Sequence, residues 1–281
     1  MVCLLKYTGA ALALASTAIA SPTTSAHVEA RKAPLIPNGK KAGSAGGRAV
    51  HLWKDHIGWW YDWTPKPSGH DEVPGVSMLW GDGHQGQFDA DRLHAFQNLH
   101  STPQYLLGPN EPDCHGTYSA DLRVAQGVSL WNQYIAPKGR AGSLLGSPSM
   151  CKQKDEGWLA KFRTQKLDAD WDFTAIHVYK DSMQGVQEDI DHYWNKYGKP
   201  IWVTEFACVS DQPEWKPCQD QGQINRFIND VVDLFEKNEH VMAYAYTDGG
   251  GLSPNWTPTN NDGSKLSESG RTYLNAIKKY H

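Results

Sequence analysis

Leu106-Leu107-Gly108-Pro109-Asn110-Glu111-Pro112-Asp113 and Ile201-Trp202-Val203-Thr204-Glu205-Phe206-Ala207 decide how the rest of this chain reads. Each begins as an apolar run typical of a buried strand and stops at a glutamate in loop chemistry. Stability alone gives no reason to put a carboxylate at the carboxyl end of a core strand. An α/β barrel does, because its active site is built at that face. Two such glutamates in one chain predict a carboxylate pair.

Working outward, strand patterns at 57–63, 76–80, 141–147, 173–179 and 241–246 join the two glutamate strands, which run over 105–111 and 201–207. Helical patterns fall between them at 89–100, 119–135 with Ser119 as N-cap, 155–167, 186–197 and 222–237, and a last one follows at 266–279. Regular alternation of strand and helix predicts parallel βα units. Seven strands without a break after Gly47 predict an α/β fold, a single-domain (β/α)8 TIM barrel with one weak or irregular strand. An open doubly wound sheet is the rival. It lacks a glycine-rich phosphate loop, since Gly249-Gly250-Gly251 follows a late strand and leads toward Ser253-Pro254.

With 281 residues the chain is long enough for one such barrel. The net charge of −4 is spread without long like-charge blocks, which argues against nucleic-acid and membrane-surface partners. Aromatic usage is lopsided, with 12 Trp and 12 Tyr against 7 Phe. Trp and Tyr offer a flat apolar face with a polar edge, suited to sugar rings as well as to core packing.

Lys6, the apolar run 10–20 and the small residues Ala18-Ile19-Ala20 predict a secretory signal peptide over 1–20. Residues 21–47 have hardly a large apolar side chain and read as a flexible linker or pro-segment, leaving 48–281 as the catalytic domain. Loss of the leader removes Cys3 and leaves Cys114, Cys151, Cys208 and Cys218, an even set that implies disulfides in a secreted, extracellular or cell-wall protein. Cys208 with Cys218 is the easier closure and leaves Cys114 with Cys151; the other two pairings stay open. No cysteine or histidine spacing suggests a metal, and no cofactor is required. Asn255-Trp256-Thr257 is a sequon for N-glycosylation on a surface loop.

Two strands separate the glutamate strands, so on a closed barrel Glu111 and Glu205 face one another across the mouth. Glycosidic hydrolysis uses that arrangement: one protonated carboxyl donates to the leaving oxygen, and the other attacks the anomeric carbon or activates water. The motifs Leu107-Gly108-Pro109-Asn110-Glu111-Pro112-Asp113, Ile57-Gly58-Trp59-Trp60-Tyr61-Asp62-Trp63, Ala175-Ile176-His177-Val178-Tyr179 and Trp202-Val203-Thr204-Glu205-Phe206-Ala207 resemble, in that order, fungal endo-β-1,3-glucanases of glycoside hydrolase family 128, within the clan of retaining (β/α)8 glycosidases.

The resemblance implies that Glu111 is the acid/base and Glu205 the nucleophile, that Asn110 donates to a sugar 2-hydroxyl, that Tyr179 donates to the nucleophile and that His177 lines the same mouth. It also implies an aromatic platform after the last strand, for which Tyr246 and Trp256 are candidates. Trp60 and Trp80 are further candidates for sugar platforms. The implied activity is hydrolysis of internal β-1,3-glucosidic bonds of fungal cell-wall glucan by a secreted, monomeric enzyme. A glucan-binding protein without turnover and a glucan-remodelling transglycosylase are the alternatives. Only the resemblance speaks to the β-1,3 linkage.

Overall fold

The computed structural model describes residues 33–211 and 213–281, and the leader read over 1–20 lies outside them. Among the described residues eight parallel strands surround the core: β1 (Ala42–Ala45), β2 (Trp59–Tyr61), β3 (Ser77–Met78), β4 (Tyr105–Leu107), β5 (Leu144–Leu145), β6 (Thr174–Lys180), β7 (Ile201–Ser210) and β8 (Val241–Thr247). Five pair in the order β2-β1-β8-β7-β6 and three in the order β3-β4-β5. Isolated parallel bridges join the two sheets at both seams, Trp60 with Gly75 and Gly146 with Phe173. The result is the (β/α)8-like barrel that the alternating pattern predicts.

The strand missing from the sequence reading is β1, which makes β4 and β7 the carriers of Glu111 and Glu205. It lies in the stretch 21–47 read as a linker, so the barrel begins earlier than position 48. Its residues Ala42-Gly43-Ser44-Ala45 are small, yet all are buried. The small size is forced: a Cβ on Gly43 would sit 2.5 Å from Nε1 of Trp59, whose ring covers the strand. The preceding residues are anchored too. Tyr105 donates to the Pro34 carbonyl at 2.7 Å and Trp202 to that of Leu35 at 3.0 Å. Trp202 packs in turn on Trp59, Tyr105 and Phe173, with ring centroids 4.2 to 5.1 Å apart.

Helices α1 (Val50–Trp53), α2 (Gln87–Gln97), α3 (Val124–Leu130), α4 (Trp158–Arg163), α5 (Met183–Tyr197), α6 (Gln221–Lys237) and α7 (Glu268–Ile277) surround the strands. Local chemistry sets the ends of α5: the Ser182 hydroxyl accepts from the Gly185 N–H, and Gly198 stops the helix in the left-handed region. Helix α6 turns Ile224, Phe227, Ile228, Val231, Val232 and Phe235 to the barrel, a stripe at helical spacing. Helix α3 starts later than its pattern suggests, because Ser119 is not its cap. No helix among the described residues is long and apolar enough to cross a membrane.

Candidate active site

Strand β7 does not end at its glutamate. It continues to Ser210, pairs with the short strand Lys216–Pro217 and is tied there by the Cys208–Cys218 disulfide. Glu205 is aimed by irregularity instead. Toward β6 the register slips between Ile176 and His177, and toward β8 it slips between Val203 and Phe206. Such bulges turn a strand locally and redirect its side chains. The carboxylate they present is heavily engaged. Oε1 accepts from Trp63 Nε1 at 2.9 Å and from the Tyr61 hydroxyl at 3.2 Å. Oε2 accepts from the Tyr179 hydroxyl at 2.5 Å and from Thr247 Oγ1 at 3.0 Å.

Glu111 comes from the loop beyond β4. Its N–H donates to the Ser149 carbonyl at 2.8 Å, and its φ of 49° is left-handed, which a non-glycine residue adopts only where its surroundings hold it. Two contacts hold the side chain: Ser119 Oγ donates to Oε2 at 2.9 Å, and His177 Nδ1 lies 2.9 Å from Oε1. The serine read as a helix cap is therefore a carboxylate partner.

His177 joins the two glutamates. It is fully buried, with Nε2 3.4 Å from Glu205 Oε1, so it stands behind the carboxylates and does not line the mouth. Burial alone lowers an imidazole pKa; here the carboxylates of Glu205 and Glu111 outweigh it, and the net shift is upward. The phenols of Tyr61 and Tyr179 are pushed far above their ordinary value by burial and then by the charge of Glu205, so both remain protonated donors.

Other sequence candidates divide sharply. Tyr179, Trp80 and Asn110 line the cleft. Asn110 is pinned by its amide, which donates to the Tyr118 carbonyl at 3.0 Å, while its buried Oδ1 has no protein partner. Trp60 does not reach the cleft; it is buried, donates to the Val73 carbonyl and meets His70 edge-on. Tyr246 and Trp256 are core as well. They stack on each other at 4.4 Å, and the Tyr246 hydroxyl donates to the Trp256 carbonyl. The aromatic from this strand's end that reaches the cleft is Trp63, which lies beyond β2 with a left-handed φ of 59° and donates to Glu205.

The Cys114–Cys151 disulfide ties the loop of Glu111 to the loop after β5 and forms part of the cleft wall. Asp113, Cys114 and Cys151 approach each other, but both sulfurs are bonded, so they offer a metal one carboxylate and no thiolate. Asn255 is exposed in the turn Pro254–Trp256 and donates to the Gln219 carbonyl at 2.8 Å.

The cleft encloses about 1120 Å³, at or above the range of ordinary small-ligand pockets, roughly 300–1,000 Å³. Of the four strongly exposed large hydrophobic side chains among the described residues, three line it: Phe88 (80%), Tyr118 (67%) and Trp215 (49%). None stood out in sequence, since each sits in a polar loop or at a helix start with no flanking pattern. Asp248, from the loop after β8, adds a carboxylate to a wall that also carries Glu111, Glu205, Asp155 and Asp211, and burial pushes it up to about 6.

Residues 42–273 match the family model described as glycosyl hydrolase catalytic core. A crystal structure of a family 128, subgroup VII oligosaccharide-binding protein from Trichoderma gamsii is 61% identical, with a TM-score of 0.88 over 89% of this chain and 98% of that one. A family 128, subgroup II endo-β-1,3-glucanase from Sorangium cellulosum is 26% identical, with a TM-score of 0.66 over 84% of this chain and 98% of that one. Among curated proteins, Alkali-sensitive linkage protein 1 of Schizosaccharomyces pombe is 28% identical over 225 residues, 78% of this chain; the chain spans 40% of that relative's length.

Proposed function

Since the chain belongs to glycoside hydrolase family 128 and carries its glycosyl hydrolase catalytic core, we propose that it is a secreted protein whose cleft binds β-1,3-glucan oligosaccharides, with turnover held down by the setting of Glu205. One observation carries this reading. A carboxylate offers about four lone-pair positions, and the two oxygens of Glu205 receive two protein donors each. Attack on an anomeric carbon needs one of those lone pairs, so a donor must be displaced first. The same donors stabilise the anion and lower its nucleophilicity.

Glu111 has parallel constraints. As a general acid it must present a proton to the glycosidic oxygen. Both its oxygens instead face polar partners of the protein, Ser119 on one side and His177 on the other. The exposed aromatics suit recognition of a sugar chain without any requirement for bond cleavage. The oligosaccharide-binding description of the Trichoderma relative supports the same reading.

Retaining hydrolysis of β-1,3-glucan is the second reading, favoured by the presence of both glutamates, one in the loop beyond β4 and one on β7, and by their shared contact with His177. In it Glu205 attacks the anomeric carbon while Glu111 protonates the leaving oxygen. Water, activated by Glu111, then releases the sugar. A sugar hydroxyl in place of water gives transglycosylation.

The test is a calorimetric titration with β-1,3-gluco-oligosaccharides, together with product analysis beside Glu205→Gln. Saturable binding without products supports the first reading. Products that disappear in the variant support the second. Neither binding nor products would overturn both.

A further inference from the structure

Tyr118 starts on one wall of the cleft and ends on the other. Its backbone belongs to the Glu111 side: its carbonyl accepts from Asn110, and the next residue, Ser119, donates to Glu111. Its ring rests against Gly250 in the loop after β8, where a Cβ would lie only 2.8 Å from Cζ and 2.9 Å from the hydroxyl oxygen. The neighbouring Gly249 belongs to the Glu205 side, where an added Cβ would lie 3.7 Å from Glu205 Oε2 and 3.7 Å from Trp63. Strands β4 and β8 stand opposite each other on the ring, so the side chain bridges loops that rise from opposite sides of the mouth. A second contact fixes the far support, because Trp215 Nε1 donates to the Gly251 carbonyl at 3.2 Å.

From this crossing we infer that Tyr118 is a specificity-determining bar that admits a glucan chain only by its end. A chain that runs beneath the bar must be threaded, and a chain that stops against it must present a terminus. In neither case can an internal segment of a long polymer drop in from the side, as it can into an open groove. The site therefore selects free oligosaccharides and chain ends over the interior of polymeric glucan. This rests on the glucan-binding reading and adds a length rule to it.

The glycine at 250 is what allows the bar to close. Tyr118 is exposed and meets Gly250 with the tip of its ring, so a methyl group there displaces the ring and leaves the fold in place. Gly250→Ala and Tyr118→Ala thus open the mouth by independent routes, one by pushing the ring off and the other by removing it.

The experiment compares wild type and both variants for binding to laminarihexaose and to high-mass linear β-1,3-glucan whose ends are chemically capped with a bulky group, with circular dichroism to check folding. Wild type should bind the hexaose and ignore the capped polymer. Both variants should gain capped-polymer binding, raising the polymer-to-hexaose affinity ratio at least about tenfold, about 1.4 kcal/mol. Equal binding of hexaose and capped polymer by wild type overturns the bar while leaving glucan recognition intact. So does a ratio that stays fixed in both folded variants. Failure of wild type to bind either ligand overturns the glucan reading itself, and the bar with it.

Discussion

His177 Nδ1 lies 2.9 Å from Glu111 Oε1, and the same ring brings Nε2 to 3.4 Å from Glu205 Oε1. One buried imidazole thereby couples two carboxylates that come from different strands. Its charge sets what the pair can do. An imidazolium sets one buried cation between the two carboxylate side chains, an arrangement that suits hydrogen-bond recognition of sugar hydroxyls.

The His177 pKa is raised in the folded protein, against an ordinary value of 6.5. The folded state therefore holds this proton more tightly than the unfolded chain. The resulting stabilisation is complete below about pH 6.5 and disappears as pH climbs through the higher folded value. Replacing His177 by Gln leaves two carboxylates facing each other without their cation, a loss of about 3–5 kcal/mol for a broken buried network. Urea unfolding of wild type and His177→Gln across pH should show the gap widest below pH 6.5 and shrinking above it. A gap independent of pH would mean that the imidazole is not charged between the glutamates.

Asp248 shifts in the same direction for a different reason. Burial raises it from 3.8 to about 6, against a backbone N–H donated by Arg48 at 3.3 Å. A carboxyl with a raised folded value stabilises the fold while protonated and loses that contribution as pH rises from about 4 through 6. Asp248→Asn keeps the shape and removes the charge, so it should stabilise the protein at pH 7 by up to about 3 kcal/mol, as the size of the shift allows. Thermal unfolding at pH 4 and pH 7 checks this: the variant should match wild type at the lower pH and exceed it at the higher.

Phe88 and Trp215 separate binding from stability. Both expose much of their rings at the cleft, so truncation removes little core packing. Phe88→Ala and Trp215→Ala should each weaken oligosaccharide binding roughly tenfold, the scale of an interface anchor, while changing unfolding free energy by less than about 0.5 kcal/mol. Trp215 should cost slightly more stability, because its indole also donates to Gly251 and meets Tyr179 edge-on at 4.9 Å. Calorimetric titration beside thermal melts reads both quantities.

The parts of this molecule that were legible in sequence are those in which one periodicity carries one burial pattern. Strands β6 and β7 and helices α5 and α6 are apolar runs or stripes flanked by Gly, Pro or a capping residue, and they fold where the pattern places them. The glutamate pair was legible for a related reason, since a charge beside a core strand stands out against its surroundings. Strand β1 was not legible because its burial depends on what lies above it. Ala, Gly and Ser give no apolar signal, and only the Trp59 ring explains why nothing larger fits. Trp60 and Trp63 show the same limit among aromatics, where direction and not composition decides which ring sees the cleft. Ser119 was misread because an N-cap and a carboxylate donor use the same hydroxyl.

The Cys114–Cys151 bridge spans 37 residues of sequence, begins just beyond Glu111 and closes the loop that carries Tyr118 and Ser119. In the chain-entropy account a loop of that length contributes roughly 3–4 kcal/mol. Cys114→Ser with Cys151→Ser should lower the unfolding free energy by that order and weaken oligosaccharide binding further, since Glu111 is held by Ser119 from within the same loop. Cys208→Ser with Cys218→Ser opens a loop with a separation of only 10 residues and should cost less stability. Urea unfolding of the two double variants ranks them, and a reversed order would assign the greater constraint to the β7 hairpin.

Thr247 offers the most direct test of what restrains Glu205. Its hydroxyl donates to Oε2 at 3.0 Å from the end of β8, beside the stronger contact from Tyr179. Thr247→Val keeps the branched shape but takes away both this donor and the acceptor of the Gly249 N–H, 3.1 Å away. A hydrogen bond to a charged group contributes about 1.5–3 kcal/mol, so the variant should lose stability on that scale or somewhat less as the carboxylate rearranges. It also frees one lone pair of Glu205 on the side of Gly249. If saturation by donors suppresses turnover, cleavage of laminarihexaose should rise by roughly tenfold or more over wild type, and Glu205→Gln added to the variant should abolish the gain. An unchanged rate in a folded Thr247→Val protein would place the restraint on the Glu111 side, where Ser119→Ala becomes the corresponding release.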